Sequence, residues 1–445
     1  MMMEKVFELY ENKRYSELKQ LLEMMNRADI AQVLQEVGDE EMIIIYRLLS
    51  KEAAVETFAF MEPEQQEHLI HAMTDKELYE VTSLLFLDDT IDLIEEMPAI
   101  IVKRILRQAD PNQRKLINEF LNYPSDSAGS VMTIEFIDLK AHMTVDQAFT
   151  RIRRIGVRKE TIYTCYVLDD SRRLQGIVTV KDLLLADKST TMEEIMETNL
   201  ITVNTLEDQE EVVKKFDKYD LLALPVVDQE YRLVGIITID DAVDVMKDEN
   251  TEDFQRMAAM VPSDDTYFGT SVLQHAKHRI VWLLVLMLSA TVTGLLITKY
   301  ENAFASNLLL VSFIPMLMGT GGNCGSQSST LIIRGMAIDE IHIKDFFKVL
   351  FKEIRVALLV GVTLASANAI RIYLQYKDIT IAIIVGLTLV STVCLSKMLG
   401  CILPMAAKKL KLDPALMATP LISTIVDTCS IVIYFTIALQ VMKLA

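Results

Sequence analysis

Apolar and polar positions in residues 1–125 follow a helical period. Breaks recur at Ser50, Pro63, Thr74, Asp88, Pro98 and Asp110, at gaps of 10–14 residues. Ser, Thr and Asp cap helices and Pro starts them, so this spacing predicts short helices stacked as a small superhelix. From 130 to 250 the pattern changes to β-branched residues alternating with polar ones. Here the chain repeats itself. Val167-Leu168-Asp169 matches Val226-Val227-Asp228, and Arg173 to Val180 matches Arg232 to Ile239, with an offset of 59 throughout. Each copy reads strand, turn, strand, helix. A connecting helix is expected over about 245–268. Five apolar spans follow, near 280–298, 303–333, 356–374, 379–407 and 414–442, each long enough for the ~20 residues a bilayer requires.

Charge separates the two halves. Residues 1–270 hold 54 of the 62 acidic and 29 of the 44 basic side chains, a net of −25, while 271–445 carry a net of +7. An acidic soluble region excludes nucleic acid as a partner, because phosphate contacts need a Lys/Arg surface. It suits divalent cations. The first residues carry charges but no apolar core, so no signal peptide is expected. The loop between spans two and three carries Arg334, Lys344, Lys348, Lys352 and Arg355, and that between spans four and five carries Lys408, Lys409 and Lys411. Fewer basic residues lie on the other side, which places the N-terminus in the cytoplasm and the C-terminus outside the cell membrane. The five cysteines form no CxxC pair, so neither a zinc site nor a disulfide framework is expected.

Asp427 carries the chemistry of the membrane part. It has 13 residues of the last span before it and 15 after, with no other charge among them. A carboxylate at that depth costs several kcal/mol unless it faces water, a cation or a partner. The expectation is a cation site in a membrane pathway. Thr419, Ser423, Thr424, Asp427, Ser430 and Tyr434 fall at helical spacing and form an expected wet face. Pro420 is expected to free the carbonyl of Leu416. Span two holds Pro315, Gly319, Gly321, Gly322 and Gly325, which predicts a broken helix whose carbonyls line a cavity. Asn323, Ser326, Gln327, Ser328 and Thr330 add hydrogen-bonding groups. Close helix packing is the alternative use of so much glycine. Lys397 is expected near the end of span four, its stem snorkelling to the surface.

Two acidic constellations stand out in the soluble part. Asp88 and Asp92 are four apart, on one face of a helix. Asp241 and Asp244 are three apart, with Glu249, Glu252 and Asp253 following. Like charges repel, and divalent cations would relieve that cost. The six histidines include no HExxH, so an intramembrane metalloprotease is not supported and no enzyme activity is expected.

The repeated G-I-V-T-V-x-D element, ending at Asp182 and Asp241, resembles tandem CBS domains, which often bind adenine nucleotides; the pair is thus a candidate ATP site. Over nearly the whole chain the order of parts, with SAGSVM from Ser127, YDLLALPVVD from Tyr219, PMLMGTGGNCGSQSSTLIIRG in span two and DPALMATPLISTIVD in span five, resembles the MgtE family of magnesium channels or transporters. The resemblance implies a multidomain α + α/β fold. Its parts are an N-terminal helical superhelix (1–126), tandem CBS domains (127–190 and 191–246), a connecting helix (247–270) and a five-helix transmembrane domain (271–445). It implies a homodimer with the pore at the protomer interface, where paired Asp427 carboxylates meet hydrated Mg2+ together with Thr419, Ser423, Gly321, Gly322 and Asn323. It also implies that Asp88, Asp92, Asp220, Asp241, Asp244, Glu249, Glu252 and Asp253 bind cytoplasmic Mg2+ and favour a closed state. Cys324 stands where the family usually has Ala, and Ser423 where it often has Thr. The implied function is Mg2+ uptake gated by internal Mg2+; the alternative is a proton- or sodium-coupled exporter of divalent cations.

Overall fold

The computed structural model describes residues 2–263, 267–300, 308–417 and 419–442. The chain divides into two units, Met1–Met246 and Lys247–Ala445. The first begins with short helices running from α1 (Met2–Glu11) to α10 (Pro111–Phe120). Their starts follow the expected caps. Ser50 Oγ accepts from Ala53 N, Thr74 Oγ1 from Glu77 N, and Asp110 Oδ1 from the amides of Asn112 and Gln113. Pro63 opens one helix and Pro98 precedes another. Asp88 is not a cap: α8 (Leu87–Glu96) starts one residue earlier, and its first turn carries Asp88 and Asp89.

The repeat forms two three-stranded sheets of identical topology. β1 (Ile137–Lys140) runs parallel to β2 (Thr164–Leu168), and β2 antiparallel to β3 (Leu174–Thr179). β4 (Val203–Asn204), β5 (Ala223–Val227) and β6 (Leu233–Thr238) repeat the arrangement. The internal offset holds at the level of register: Val167 opposes Gly176 and Val226 opposes Gly235, with an irregularity at the same place in each copy. The segment leading into each copy bridges to the other copy's sheet, Thr133 to Ile236 and Glu197 to Ile177. Close approach explains one glycine: a Cβ on Gly235 would lie 2.7 Å from the Thr133 carbonyl oxygen. A single apolar core joins Ile91 and Ile94 of α8 to Leu224, Ile237 and Ala242 of the second copy.

Helices α11 (Val145–Ile155), α12 (Val180–Leu185), α13 (Met192–Ile195) and α14 (Gln209–Tyr219) complete the repeats. The connecting helix α15 (Ile239–Met257) starts directly from β6 and ends earlier than the expected 268. Ala259, at φ 55°, turns the chain just beyond it.

The second unit holds five long helices among the described residues: α16 (Val272–Lys299), α17 (Ile314–Ala337), α18 (Phe346–Tyr376), α19 (Ile379–Lys409) and α20 (Thr419–Met442). Val272–Lys299, Ile379–Lys409 and Pro414–Met442 are long and apolar enough to cross a membrane. α17 and α18 are comparably long but more polar. α17 carries the Gly/Ser/Asn stretch, and α18 opens with Lys348, Lys352, Glu353 and Arg355.

Two expectations are overturned here. Span two is not broken at its glycines; α17 runs through all of them without interruption. Gly321, Gly322 and Gly325 form a packing seam instead. A Cβ on Gly321 would lie 2.8 Å from Val426 Cγ1, one on Gly325 2.6 Å from Ile422 Cγ2, and one on Gly400 2.4 Å from the Gly325 carbonyl oxygen. Small residues let α17, α19 and α20 approach more closely than side chains would allow. Pro420 frees no carbonyl, because it lies in the first turn of α20, where an amide has no helical partner to lose. Leu416 belongs to the short 3-10 turn Pro414–Met417 before it.

Candidate ion path and acidic cluster

α17 and α20 build the candidate path. A Cβ on Gly322 would lie 3.1 Å from Ser423 Oγ, so the two backbones meet at this level. Asp427 lies one helical turn beyond Ser423. It is half-buried, and among the described residues it has no hydrogen-bond or ion-pair partner. Asn323 is exposed beside this contact, as are Gly319 and Gln327 on the same face of α17. Gly321 and Gly322 are buried, and their carbonyls already accept from Ser396 Oγ and Ser326 Oγ respectively. The glycines thus bring α20 in close, rather than presenting freed carbonyls. The side chain of Thr419 lies outside the described residues.

The expected wet face of α20 is shorter than its spacing suggested. Ser430 is buried and donates to the Val426 carbonyl. Tyr434 is buried too, and its hydroxyl donates 2.8 Å to the Leu310 carbonyl. Thr424 bonds back to the Pro420 carbonyl. Each satisfies a polar group inside the protein, which leaves Ser423 and Asp427 as the polar pair beside Gly322 and Asn323. Lys397 departs from expectation as well: it is 5% exposed and pairs with Glu353 rather than reaching the surface.

The second site lies in the first unit. α8 turns Asp88, Asp89 and Asp92 toward Glu160 of the first repeat and Asp241 at the start of α15. Burial, followed by the neighbouring carboxylates, pushes Asp88 up to about 9, Glu160 to about 7 and Asp89 to about 6; Asp92 is raised by the same causes, although the residue as a whole is exposed. Asp241 is also raised by burial, although its Oδ2 accepts from Thr238 Oγ1 at 2.6 Å. Asp88 Oδ1 and Glu160 Oε2 are sealed from solvent without any hydrogen bond. No Lys or Arg forms an ion pair with these groups among the described residues. Buried, unpaired carboxylate oxygens of this kind fit a hard, oxygen-seeking cation. Yet no three His, Cys, Asp or Glu side chains among the described residues stand close enough to hold one ion.

The remaining expected residues scatter. Asp220 is exposed at the end of α14, in a left-handed conformation at φ 51°. Asp244 is exposed on α15. Glu249, Glu252 and Asp253 belong to the second unit. There Arg256 pairs with both Glu252 and Asp413, the residue before the Pro414–Met417 turn. Sequence reasoning missed Asp89, Glu160, Arg256 and Asp413. Asp89, next to Asp88, was the one with a local signal. The Thr-x-x-Asp ends of the repeated element cap α12 and α15: Thr179 Oγ1 donates 2.5 Å to Asp182 Oδ2 as Thr238 does to Asp241.

Comparison with known proteins agrees with this layout. The MgtE intracellular N domain pattern matches residues 25–126, the CBS domain pattern 128–189 and 192–248, and the MgtE divalent cation transporter pattern 314–437. The magnesium transporter MgtE of Thermus thermophilus is 34% identical over 95% of this chain and 94% of its own length. That of Bacillus subtilis is 32% identical over 79% of this chain and 77% of its own. Among solved structures, the cytosolic domain of the Mg2+ channel MgtE in complex with ATP superposes with a TM-score of 0.52 at 33% identity, covering 54% of this chain and 98% of that one. With a helical N-terminal region, two CBS units, a connecting helix and a bundle of apolar helices, the chain belongs to the MgtE family of magnesium transporters.

Proposed function

We propose that this Mg2+ transporter mediates uptake as a homodimer, with its path between two copies of the α17–α20 seam. The supporting observation is Asp427, a carboxylate within the last span that has no partner among the described residues and lies beside the Gly322–Ser423 contact. A second copy of the seam would supply a second carboxylate. Two negative charges, with Ser423 and Asn323 nearby and Thr419 two turns earlier on α20, attract a divalent ion. Mg2+ sheds water reluctantly, so the path passes it with waters attached. Gly321 and Gly322 set how closely α20 approaches. The membrane potential favours entry of a divalent cation, so no hydrolysis is required.

Internal Mg2+ closes the path by binding the acidic cluster. Asp88, Asp92 and Asp241 would be drawn together as the ion arrives, with Asp89 and Glu160 adding charge; Asp220, Asp244, Glu249, Glu252 and Asp253 would contribute further sites along α14 and α15. The cation removes repulsion that otherwise favours separation, which shifts the population toward the closed state. The relatives' cytosolic domain supports a cytoplasmic first unit, and its complex with ATP supports ATP at the CBS pair.

The test is ion flux into liposomes holding the purified protein, with Mg2+, Mn2+, Co2+ and Ca2+ compared and Asp427→Ala alongside. The reading expects Mg2+ flux in wild type that follows voltage and does not require a proton or sodium gradient. It expects flux at background in Asp427→Ala. Wild-type flux in that variant removes the path assignment, and flux that stops without a proton or sodium gradient favours coupled export.

A further inference from the structure

Three helices of the second unit meet around one buried hydroxyl. Ser328 of α17 is fully buried, and its Oγ donates to Glu353 Oε2 of α18 at 2.6 Å. Lys397 Nζ of α19 donates to the same Oγ at 3.1 Å and lies 3.9 Å from Glu353 Oε2. Lys397 is 5% exposed and Glu353 9%. Removing two charges from water costs several kcal/mol each, and well-packed apolar groups of the same size are often at least as stabilising. Stability alone therefore does not account for this pair. A hydrogen-bonded triad is directional, whereas an apolar contact lets a helix rotate or slide.

The surroundings show what direction it would set. Ser396, next to Lys397, donates to the Gly321 carbonyl, and Gly400 sits against the Gly325 carbonyl. The α17–α19 seam therefore runs from the level of Gly321 to that of Ser328. Ser329 Oγ donates 2.9 Å to the carbonyl of Met417, at the end of the turn leading into α20. Adjacent serines thus tie α17 to α18 and α19 on one side and to the start of α20 on the other. Asn323 and Gly322, five and six residues before Ser328, sit at the α20 contact.

We propose that Ser328, Glu353 and Lys397 are positioning residues for ion passage: the triad fixes the rotation of α17, and through it the spacing of Asn323 and Gly322 from Ser423 and Asp427. This rests on the reading of the α17–α20 seam as the path. The triad touches no ion and acts through those residues. Rotation of α17 changes the width of the path, so it alters discrimination between hydrated ions as well as rate.

Full-length Ser328→Ala, Lys397→Met, Glu353→Gln and the neutral pair Lys397→Met/Glu353→Gln are reconstituted in liposomes, with Asp427→Ala in the same series. Mg2+ flux per protein, the Co2+:Mg2+ flux ratio and Tm are measured. Ser328→Ala, the smallest change, is expected to fold, to lose about tenfold in Mg2+ flux and to shift the ratio by about threefold. Lys397→Met leaves Glu353 charged and alone and is expected to do worse, with flux partly recovered in the neutral pair. A wild-type ratio in Ser328→Ala overturns the proposal, even if Tm or flux drops, because a purely structural role lowers the amount of working protein without changing selectivity. If Lys397→Met fails to insert, the Ser328→Ala ratio decides. Background flux in Asp427→Ala with an unchanged Ser328→Ala ratio sinks the triad alone; wild-type flux in Asp427→Ala sinks the path itself.

Discussion

In the first unit, carboxylates from α8, the first CBS repeat and the start of α15 gather with no Lys or Arg paired to them among the described residues. In the second, Glu353 is buried but has Lys397 and Ser328 beside it, and Asp413 has Arg256. The first arrangement is tense: several carboxylates hold protons far above their ordinary range, and two oxygens have no partner. In the second the buried carboxylate is matched, whereas Asp427, within the last span, has no partner among the described residues. A charge matched by a resident side chain serves as architecture. A charge left unmatched responds to whatever mobile cation arrives. Both unmatched places, the acidic cluster and Asp427, are where Mg2+ is proposed to act.

The largest effect expected from breaking this contrast is on gating. Asp88→Asn/Asp92→Asn/Asp241→Asn removes the carboxylate ligands through which Mg2+ would bridge these elements. Flux in that triple variant should continue at high internal Mg2+, where wild type is expected to close. Normal closure, measured by patch recording, would detach the cluster from gating.

Next in size is a pH effect. The cluster's folded pKa values lie above the unfolded range, so the folded state binds more protons than the unfolded one between about pH 4 and about pH 9. Its contribution to stability therefore falls as pH rises through that window. In the presence of EDTA, thermal unfolding of the first unit should shift to lower temperature from pH 6 to pH 9, and Mg2+ should flatten the slope. A flat profile without Mg2+ would mean that the carboxylates are already matched.

The second unit predicts packing effects instead. Gly400→Ala puts a methyl 2.4 Å from a backbone oxygen and should cost about 1–3 kcal/mol, read as a lower Tm in detergent. Gly319→Ala meets nothing within 4 Å and should leave Tm unchanged or slightly raised. Equal losses from the two would argue against the glycine seam. The smallest effect is expected from Arg256→Gln, which removes two partly exposed ion pairs, to Glu252 and Asp413, and should cost about 1 kcal/mol in the same assay.

Much of this could be read from local pattern. The caps at Ser50, Thr74 and Asp110 and the 59-residue repeat announce their own geometry, because both depend on residues close in sequence. Asp427 declared itself as a lone charge in an apolar run. The errors came where meaning depends on a distant partner. Gly321 and Gly325 read as a break, with a seam only as the alternative, until Thr392, Ser396 and Ile422 are placed against them. Lys397 read as a snorkelling residue because Glu353 lies 44 positions earlier on another helix. Glu160 carries no local mark, and it joins Asp88 only when the first CBS repeat folds beside α8. Ser430 and Tyr434 share the helical spacing of Ser423, yet their neighbours turn them inward.

The contrast between unmatched and matched charge is tested most directly by amide hydrogen exchange on the full-length protein, with and without Mg2+. Mg2+ is expected to slow exchange in α8 and at the start of α15, where the carboxylates converge, and to leave α17 and α19 around Ser328 and Lys397 unchanged. Equal exchange in α8 with and without the ion would contradict the account, since the cluster would then have no use for the cation it is held to await.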